Sequence, residues 1–315
     1  MTDMKIDYDA IVQAGNRISA HINYTPILTS SALDALTGAA LFFKAEHLQK
    51  AGAFKARGAT NAVLNLTKSE RINGVATHSS GNHGAALARA AKIVGIPAYI
   101  VVPKNANEIK KAAIASYGGV VIECESTLES RQATLAQVIE EHAATPIPPY
   151  DHEDVIIGQG TTAIELISQV PHLTRLVVPV GGGGLLAGTS VVAARYENVQ
   201  VFGAEPALAD DAYRSFQSGV RVKSHAPDTI ADGLRTTLGE LNFEIIKDNV
   251  TDILLVSDDE IVHAMKLIWT RLKQVVEPSA AVTLATVIRY PEIFKNERVG
   301  IVLTGGNIDP GNLPF

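Results

Sequence analysis

Short apolar runs, most of them β-branched, alternate along this chain with longer segments of helical pattern. The runs lie at residues 75–77, 98–102, 120–122, 176–178, 201–202, 253–256 and 299–303. Apolar runs without alternating polar residues are typical of strands covered on both faces, and intervening helices favour parallel pairing. The pattern therefore predicts an α/β fold whose parallel sheets are covered by helices.

A later segment carries the signals of a helix start. Ser257 followed by Glu260 forms a capping box, in which each side chain bonds the backbone beside the other residue. Apolar residues then recur at helical spacing, at positions 261, 265, 268 and 272. We expect a helix here, with Trp269 packed against the core.

Length and charge narrow the class of protein. With 315 residues, the chain is long enough for one large or two modest domains. The formal net charge of −6 argues against a nucleic-acid-binding surface. Composition does not mark a domain boundary, and the best visible break is the proline-rich stretch at residues 146–149.

The single cysteine suits a reducing compartment. Cys124 has no cysteine partner within the chain, so an internal disulfide is ruled out. The neighbouring carboxylates of Glu123 and Glu125 disfavour a thiolate, and a nucleophilic cysteine is therefore not expected.

Targeting signals and membrane spans are not expected. Residues 1–8 lack the apolar core of a signal peptide. The most apolar long stretch, residues 85–102, is interrupted by Arg89 and Lys92, which disfavours a membrane span. These features favour a cytoplasmic protein.

Three polar or glycine-rich segments carry the candidate chemistry. They are Lys55 within residues 53–58, the Ser-Ser-Gly-Asn-His-Gly segment at 79–84, and the tetraglycine at 181–184. An amine, polar groups at a helix start and a nest of N–H donors are the parts that hold pyridoxal phosphate (PLP). The tetraglycine follows an apolar run and precedes a helical segment, but no Gly-Lys-Ser/Thr follows it, which disfavours a nucleotide phosphate loop.

Eight segments in order resemble a known family, the fold-type-II PLP enzymes, in the serine/threonine dehydratase and serine racemase branch. The segments cover nearly the whole chain, at residues 24–27, 53–58, 79–83, 158–161, 181–184, 203–206, 277–280 and 303–307. The resemblance implies a large PLP-binding domain from residues 1–73 and 150–315 and a small substrate-side domain from 74–149. The cofactor would lie between the two domains.

The resemblance also implies the roles of the cofactor-binding residues. Lys55 would bind the PLP aldehyde covalently and later take the substrate α-proton from one face. Phe54 would pack on the ring, Asn82 would bond the ring hydroxyl, and the hydroxyl of Thr304 would meet the pyridine nitrogen. The phosphate would be held by Gly181, Gly182, Gly183, Gly184 and Leu185.

Substrate recognition is implied for the segment that begins at Ser79. Ser79, Ser80, Asn82 and His83 would hold the substrate carboxylate, although such a segment also suits a plain helix cap. Ser80 stands where plain dehydratases have alanine and serine racemases have serine, so it could act as a second acid/base on the opposite face from the lysine. His83 suits a structural hydrogen bond or proton transfer.

A further arginine bears on the choice of substrate. Arg131 resembles an arginine of the racemase and hydroxyaspartate branch and could contact a substrate hydroxyl or second carboxylate. The alternative is an arginine on the surface of a helix.

A metal site is implied near residue 205. The carboxylates of Glu205 and Asp211 and the carbonyl of Ala209 would bind Mg²⁺ or Ca²⁺, although the same spacing also suits a solvated loop. Nucleotide activation is not supported, because residues 150–153 are more acidic than a nucleotide subsite would favour.

The sequence therefore predicts a PLP-dependent serine racemase with L-serine and L-threonine dehydratase activity. The alternatives are a threo-3-hydroxyaspartate ammonia-lyase and, from another class, a catalytically silent PLP-binding protein. The expected partner is a small amino-acid substrate, with neither nucleic acid nor membrane, and the resemblance implies a homodimer.

Overall fold

The computed structural model describes residues 6–315, so the signal-peptide prediction falls largely on residues 1–5, outside the described part. The strands of this part form one sheet of six and one of four. The strands are β1 Ile27–Leu28, β2 Ala40–Lys44, β3 Val75–His78, β4 Ala98–Pro103, β5 Val120–Cys124, β6 Thr145–Pro146, β7 Arg175–Pro179, β8 Gln200–Pro206, β9 Asp252–Val256 and β10 Arg298–Val302. The helices are α1 Tyr8–Ile18, α2 Ser31–Thr37, α3 Lys55–Asn65, α4 Lys68–Arg71, α5 Asn82–Val94, α6 Glu108–Ser116, α7 Leu128–His142, α8 Glu153–Gln169, α9 Gly184–Ala193, α10 Asp211–Ser218, α11 Glu240–Asn249, α12 Asp258–Leu267, α13 Pro278–Arg289 and α14 Pro291–Phe294.

The six-stranded sheet has the order β1-β2-β10-β7-β8-β9. Its pairs run parallel except at the edge, where β1 pairs with β2 in the antiparallel direction. The predicted parallel α/β architecture is confirmed, with this antiparallel edge as an addition. A two-residue edge strand has one neighbour to match, so its direction is weakly constrained.

Helices cover both faces of the six-stranded sheet. Along β7, Val177 packs into a core cluster that contains residues of α12 and α13. Its neighbours Leu176 and Val178 point to the other face, into a cluster that contains residues of α8, α9 and α11. Both faces of the strand are therefore buried, which explains the continuous apolar run in the sequence.

The four-stranded sheet has the order β5-β4-β3-β6 and is parallel throughout. Its strands lie between residues 75 and 146. Residues of α3 and α8 join those of α5 in one apolar cluster beside this sheet. The division into domains at residues 74 and 149 stays a prediction, because that cluster extends across both proposed boundaries.

Two helix starts test the sequence patterns directly. The capping box at Ser257 is confirmed, since Ser257 Oγ accepts the N–H of Glu260 and the Glu260 carboxylate accepts the N–H of Ser257. The helix α12 gives way to a π-helical turn at Ile268–Leu272, and the indole of Trp269 donates to Val276 O at 3.2 Å. The polar segment at residues 79–84 also leads into a helix, α5, which begins at Asn82, so that the last polar residues of the segment form the first turn.

Within residues 6–315, no helix is both long and apolar enough to cross a bilayer.

Candidate active site

The candidate segments lie at the carboxyl ends of parallel strands. Residues 79–84 follow β3, the tetraglycine follows β7, and residues 304–307 follow β10. In open α/β sheets the carboxyl ends of the strands form the usual ligand crevice. Segments that lie far apart in the sequence are thus brought to the same side of their sheets.

The start of α3, which carries Lys55, is tied to the end of β10. Ala53 forms an isolated antiparallel bridge with Gly305, and the N–H of Phe54 donates to Thr304 O at 3.0 Å. These backbone contacts place Lys55, the first residue of α3, beside the segment that contains Thr304.

The Lys55 amine lies in a largely uncharged environment. Its Nζ donates to Pro149 O at 2.6 Å and lies 5.0 Å from the centre of the Phe54 ring and 6.0 Å from that of Tyr150. Burial lowers the pKa of Lys55 to about 8. About a tenth of the amine is therefore neutral at pH 7, far more than for an ordinary lysine, and the neutral form is the one that acts as a nucleophile or base.

The tetraglycine forms a tight turn into α9. Gly183 has φ of 93° and precedes the helix, whose first residues, Gly184 and Leu185, are buried. A Cβ on Gly182 would collide with the ring of Tyr150, which lies directly over the loop. The exposed N–H groups of a helix start form a favourable anion site. The sequence reading missed Tyr150, whose contact with Gly182 arises only in the fold.

The serine-rich loop leads into α5, whose N-cap residue is Gly81 and which has no side-chain capping hydrogen bond. The hydroxyl of Ser79 accepts the N–H of Gly81 at 3.4 Å, and the half-buried Ser80 lies between them. The Ser79 hydroxyl is therefore already engaged by the local turn, whereas Ser80 is the neighbouring hydroxyl of the same loop.

His83 is buried and held neutral. Its Nε2 is 2.9 Å from Ile147 O, a carbonyl that can only accept, so Nε2 carries the proton. Burial, followed by the charge of Lys55, lowers the pKa of His83 to about 3. This geometry is that of a structural hydrogen bond, and the contact of His83 with substrate stays a prediction.

Glu277 contacts the predicted site residue Asn82, although the sequence indicated it only as part of residues 277–280. Its carboxylate Oε1 accepts from Asn82 Nδ2 at 2.8 Å, and its side chain is buried. Burial, followed by the negative charge of Asp232, raises the pKa of Glu277 to about 7. A glutamate just before the Pro278 helix start was the available signal, but its partner could not be inferred from spacing.

Arg131 lies near the end of β3. It belongs to the first turns of α7, donates weakly to Ser126 O at 3.4 Å, and contributes to the lowered pKa of His78, for which burial is the larger cause. His78 directly precedes Ser79, so Arg131 lies near the start of that loop.

The predicted metal ligands occupy a buried acidic site. Burial, followed by the charge of Asp211, raises the pKa of Glu205 well above its ordinary value. Both Glu205 oxygens accept backbone N–H groups, from Ala212 at 2.9 Å and Tyr213 at 2.8 Å. His225 Nε2 lies 3.2 Å from Asp211 Oδ1 without hydrogen-bond geometry, so that buried oxygen has no hydrogen-bond partner among the described residues.

These contacts alone do not form a metal centre built from side chains. Among residues 6–315, no group of three or more His, Cys, Asp or Glu side chains is arranged to hold a metal. The predicted set includes the Ala209 carbonyl, in the turn just before α10.

Comparison with known proteins settles the family. Residues 18–305 match the sequence model of a protein family that is described as pyridoxal-phosphate dependent enzyme. The chain belongs to this family. The resemblance stated from the sequence segments is therefore confirmed, and the protein is a PLP-dependent enzyme.

Individual members of the family are similar over nearly the full length. The chain is 48% identical to the β-hydroxyaspartate dehydratase of Paracoccus denitrificans over 309 residues, 98% of each chain. It is 48% identical to the serine racemase of Dictyostelium discoideum over 307 residues, 95% of this chain and 94% of the other. The crystal structure of the Dictyostelium serine racemase has a TM-score of 0.92 and 46% identity, covering 96% of this chain and 99% of that one.

The described residues fit the cofactor of this PLP-dependent family. Lys55 offers an amine whose pKa burial lowers to about 8, and the Gly181–Gly184 turn presents the N-terminus of α9. Asn82 has an amide N–H beyond the one that it donates to Glu277. The aldehyde, the phosphate and the ring hydroxyl of PLP would thus each have a chemically suitable partner: the Lys55 amine, the helix start after the glycine turn, and the Asn82 amide, respectively.

Proposed function

We propose that this PLP-dependent enzyme is a serine racemase that also dehydrates L-serine and L-threonine. The observation that carries the proposal is the presence of two candidate acid/base groups: the Lys55 amine, whose pKa burial lowers to about 8, and the Ser80 hydroxyl in the loop after β3. Racemisation needs two acid/base groups, one on each face of the substrate α-carbon. The similarity to the Dictyostelium serine racemase supports this choice.

The chain's own groups would divide the chemistry as follows. Bound PLP supplies an electron sink that makes the substrate α-hydrogen acidic. Lys55 Nζ takes that proton from one face, and the N–H groups around Ser79 hold the carboxylate. Ser80 Oγ delivers a proton to the opposite face, which gives D-serine from L-serine. Loss of the β-hydroxyl instead yields pyruvate and ammonia.

The Ser80 hydroxyl separates the two outcomes. Ser80→Ala should abolish D-serine formation and the dehydration of D-serine, while L-serine dehydration survives, because elimination from L-serine uses the lysine face. The measurement is enantiomer analysis with a keto-acid assay, and Ser116→Ala, an exposed serine on α6, is the matched control. Continued interconversion by Ser80→Ala at a comparable rate would refute the assignment.

The cofactor-binding set is proposed on the same grounds. It comprises Phe54, Lys55, Asn82, Gly181, Gly182, Gly183, Gly184, Leu185 and Thr304. Borohydride should fix the cofactor to Lys55, as peptide mass analysis would show, and Lys55→Ala should lose both the fixed cofactor and activity. The exposed Lys92→Ala is the control. A Lys55→Ala protein that still turned over normally would overturn the set.

A threo-3-hydroxyaspartate ammonia-lyase is the second candidate. Arg131 beside the loop could pair with a second carboxylate, and the Paracoccus relative bears a hydroxyaspartate dehydratase name. A panel of L-serine, D-serine, L-threonine and threo- and erythro-3-hydroxyaspartate decides between them. Under this alternative, Arg131→Ala should lower the activity toward 3-hydroxyaspartate far more than the activity toward serine. The exposed control Arg195→Ala should change neither. A catalytically silent protein would turn over none of these substrates.

We propose a structural Mg²⁺ or Ca²⁺ ion at Glu205, Ala209 and Asp211. Two interacting buried carboxylates and the open Asp211 oxygen suit a hard cation. The ion would stabilise the turn before α10 and take no part in proton transfer. EDTA should lower the melting temperature with rescue by either ion, and this response should vanish in Glu205→Gln and Asp211→Asn but persist in the exposed control Asp259→Asn.

The assembly and setting of the protein remain part of the proposal. A homodimer in the cytoplasm, with domains at 1–73 with 150–315 and at 74–149, agrees with the family resemblance. Light scattering of the full chain would test the dimer.

A further inference from the structure

A hydrogen-bond chain runs from the backbone to Asn82 and fixes the direction of its side-chain amide. It begins at Ala51 O, which can only accept and receives Asn307 Nδ2 at 2.8 Å. The same nitrogen donates to Asn82 Oδ1 at 2.9 Å. The side-chain oxygen of Asn82 therefore faces Asn307, and the side-chain nitrogen of Asn82 must point elsewhere.

Glu277 fixes the same amide from the other side. Its Oε1 accepts from Asn82 Nδ2 at 2.8 Å, and its carboxylate also accepts the backbone N–H of Asn307. A reversed Asn82 amide would set oxygen against the carboxylate and nitrogen against the Asn307 amide, so both contacts would be lost. Two independent partners thus favour one orientation.

One donor of Asn82 remains after these contacts. An amide has two N–H donors and one acceptor oxygen, and here the oxygen and one N–H are engaged. We propose that Glu277 is a positioning residue for the cofactor, which holds Asn82 so that its second N–H donates to the ring oxygen of PLP. The inference rests on the proposed contact between Asn82 and that ring oxygen.

The chemical consequence concerns the protonation of the ring oxygen. A fixed N–H donor favours an acceptor opposite it, hence the deprotonated ring oxygen, whereas an amide oxygen would favour the hydroxyl form. Glu277 can hold the amide in this way while it is ionised. Asp232 and Lys110, which form an ion pair, act on Glu277 with opposite signs: Asp232 raises its pKa and Lys110 lowers it.

A thermodynamic cycle on the full-length chain tests the proposal without any amino-acid substrate. The PLP dissociation constant is measured for the wild type, Glu277→Gln, Asn82→Ala and the double variant. Glu277→Gln keeps the shape of the side chain but replaces one acceptor oxygen with an N–H donor, which would face the backbone N–H of Asn307. This variant should weaken PLP binding about tenfold. In the Asn82→Ala background the same change should have no further effect, because Glu277 acts through Asn82. Equal losses in both backgrounds would overturn the proposal.

Two further measurements make the test independent of misfolding and of the activity assigned above. Asn307→Asp, at an exposed position, removes the donor that holds the Asn82 oxygen and should weaken PLP binding in the same direction, whereas the exposed control Asn312→Asp should not. The visible absorption of the bound cofactor should change near pH 7 in the wild type and lose that transition in Glu277→Gln. An unchanged transition in Glu277→Gln would contradict the positioning role, whichever amino acid the enzyme acts on.

Discussion

Lys55 and Arg57 are neighbours on α3, yet they belong to two buried groups with opposite electrostatics. Arg57 joins Lys44, Glu46 and Glu165 in what we name the paired cluster. Arg57 Nε lies 2.7 Å from Glu46 Oε2, its Nη1 lies 2.7 Å from Glu165 Oε1, and Lys44 Nζ lies 2.6 Å from Glu165 Oε2. Each charge in this cluster has an opposite charge beside it.

The paired cluster keeps its central charges. Burial alone would raise the pKa of Glu46, but Arg57 holds it below its ordinary value. Burial alone would lower the pKa of Arg57, but Glu46 and Glu165 raise it above its ordinary value. The ion pairs of Arg57 therefore tie α3 to Glu46, just after β2, and to Glu165 on α8, whereas burial lowers the pKa of Lys44 even beside Glu165.

Lys55, His83 and Glu277, which we name the site group, form no ion pair with any of residues 6–315. Burial is the largest cause in each case and shifts the pKa of Lys55 to about 8, of His83 to about 3 and of Glu277 to about 7. Each is pushed toward its neutral form. Opposite charges thus lie beside Arg57, which anchors α3, whereas burial without an ion pair sets the pKa values of the site group.

The largest expected effect comes from breaking the paired cluster. Arg57→Met should lower the free energy of unfolding by about 3–5 kcal/mol, because it leaves Glu46 buried without its cation. Urea unfolding of the holoenzyme measures the change, with the exposed Arg195→Met as control. The double variant Arg57→Met/Glu46→Gln should recover part of the loss; if it is no better than Arg57→Met, the orphaned charge is not the cause.

A smaller effect is expected from His83 as pH falls. Its pKa is about 3 folded and about 6.5 unfolded, so between these values the unfolded chain binds the extra proton and stability falls as pH falls. This contributes about 2 kcal/mol between pH 6.5 and pH 5. Stability of the cofactor-free chain should lose this dependence in His83→Asn; an unchanged pH slope would show that the histidine is charged when folded.

Glu277 should act with the opposite sign. Its pKa is about 7 folded and about 4.3 unfolded, so between them the folded chain keeps a proton that the unfolded chain has lost. Stability therefore falls as pH rises, by about 1.4 kcal/mol from pH 5 to pH 6. In the wild type this slope offsets that of His83, so Glu277→Gln should steepen the rise of stability with pH. A flatter profile would contradict the raised pKa.

The smallest effect should come from an exposed ion pair. Lys104 lies 2.6 Å from Glu125 Oε1, with both side chains largely in solvent. Lys104→Ala should leave the melting temperature unchanged at physiological salt, since such pairs are screened and flexible. If Lys104→Ala destabilised the protein as much as Arg57→Met, charge pairing itself, and not burial of the pair, would account for the stability lost in both variants.

The sequence predicted the apolar strands and missed those whose burial depends on distant partners. The runs that became β3, β4 and β7 are apolar in themselves, and the structure confirms them. The strand β2 contains Lys44, a residue type that is usually exposed. It is buried here because α8 brings Glu165 to it, and Glu165 is also paired with Arg57 of α3. The strands β1 and β6 have two residues each, too few to show a period.

The candidate site divides in the same way. The tetraglycine has a local signal, a glycine run after an apolar segment, and the structure places it after β7. The signals for Lys55 are its segment and the family resemblance, and the structure places it at the start of α3. The contact of Glu277 with Asn82, and that of Tyr150 with Gly182, join residues that no spacing rule connects. Such contacts depend on the strand order of two sheets, which local pattern does not contain.

The position of β10 has a consequence for synthesis of the chain. This strand is the last in the sequence, yet it lies inside the six-stranded sheet, between β2 and β7, and leads into Thr304 and Gly305. A nascent chain can pair β3 with β4 early, but β2 has no parallel neighbour until residue 302 has left the ribosome. Lys55 can therefore meet the segment that anchors α3 only after residue 305 has been synthesised, so this contact forms late in the synthesis of the described residues.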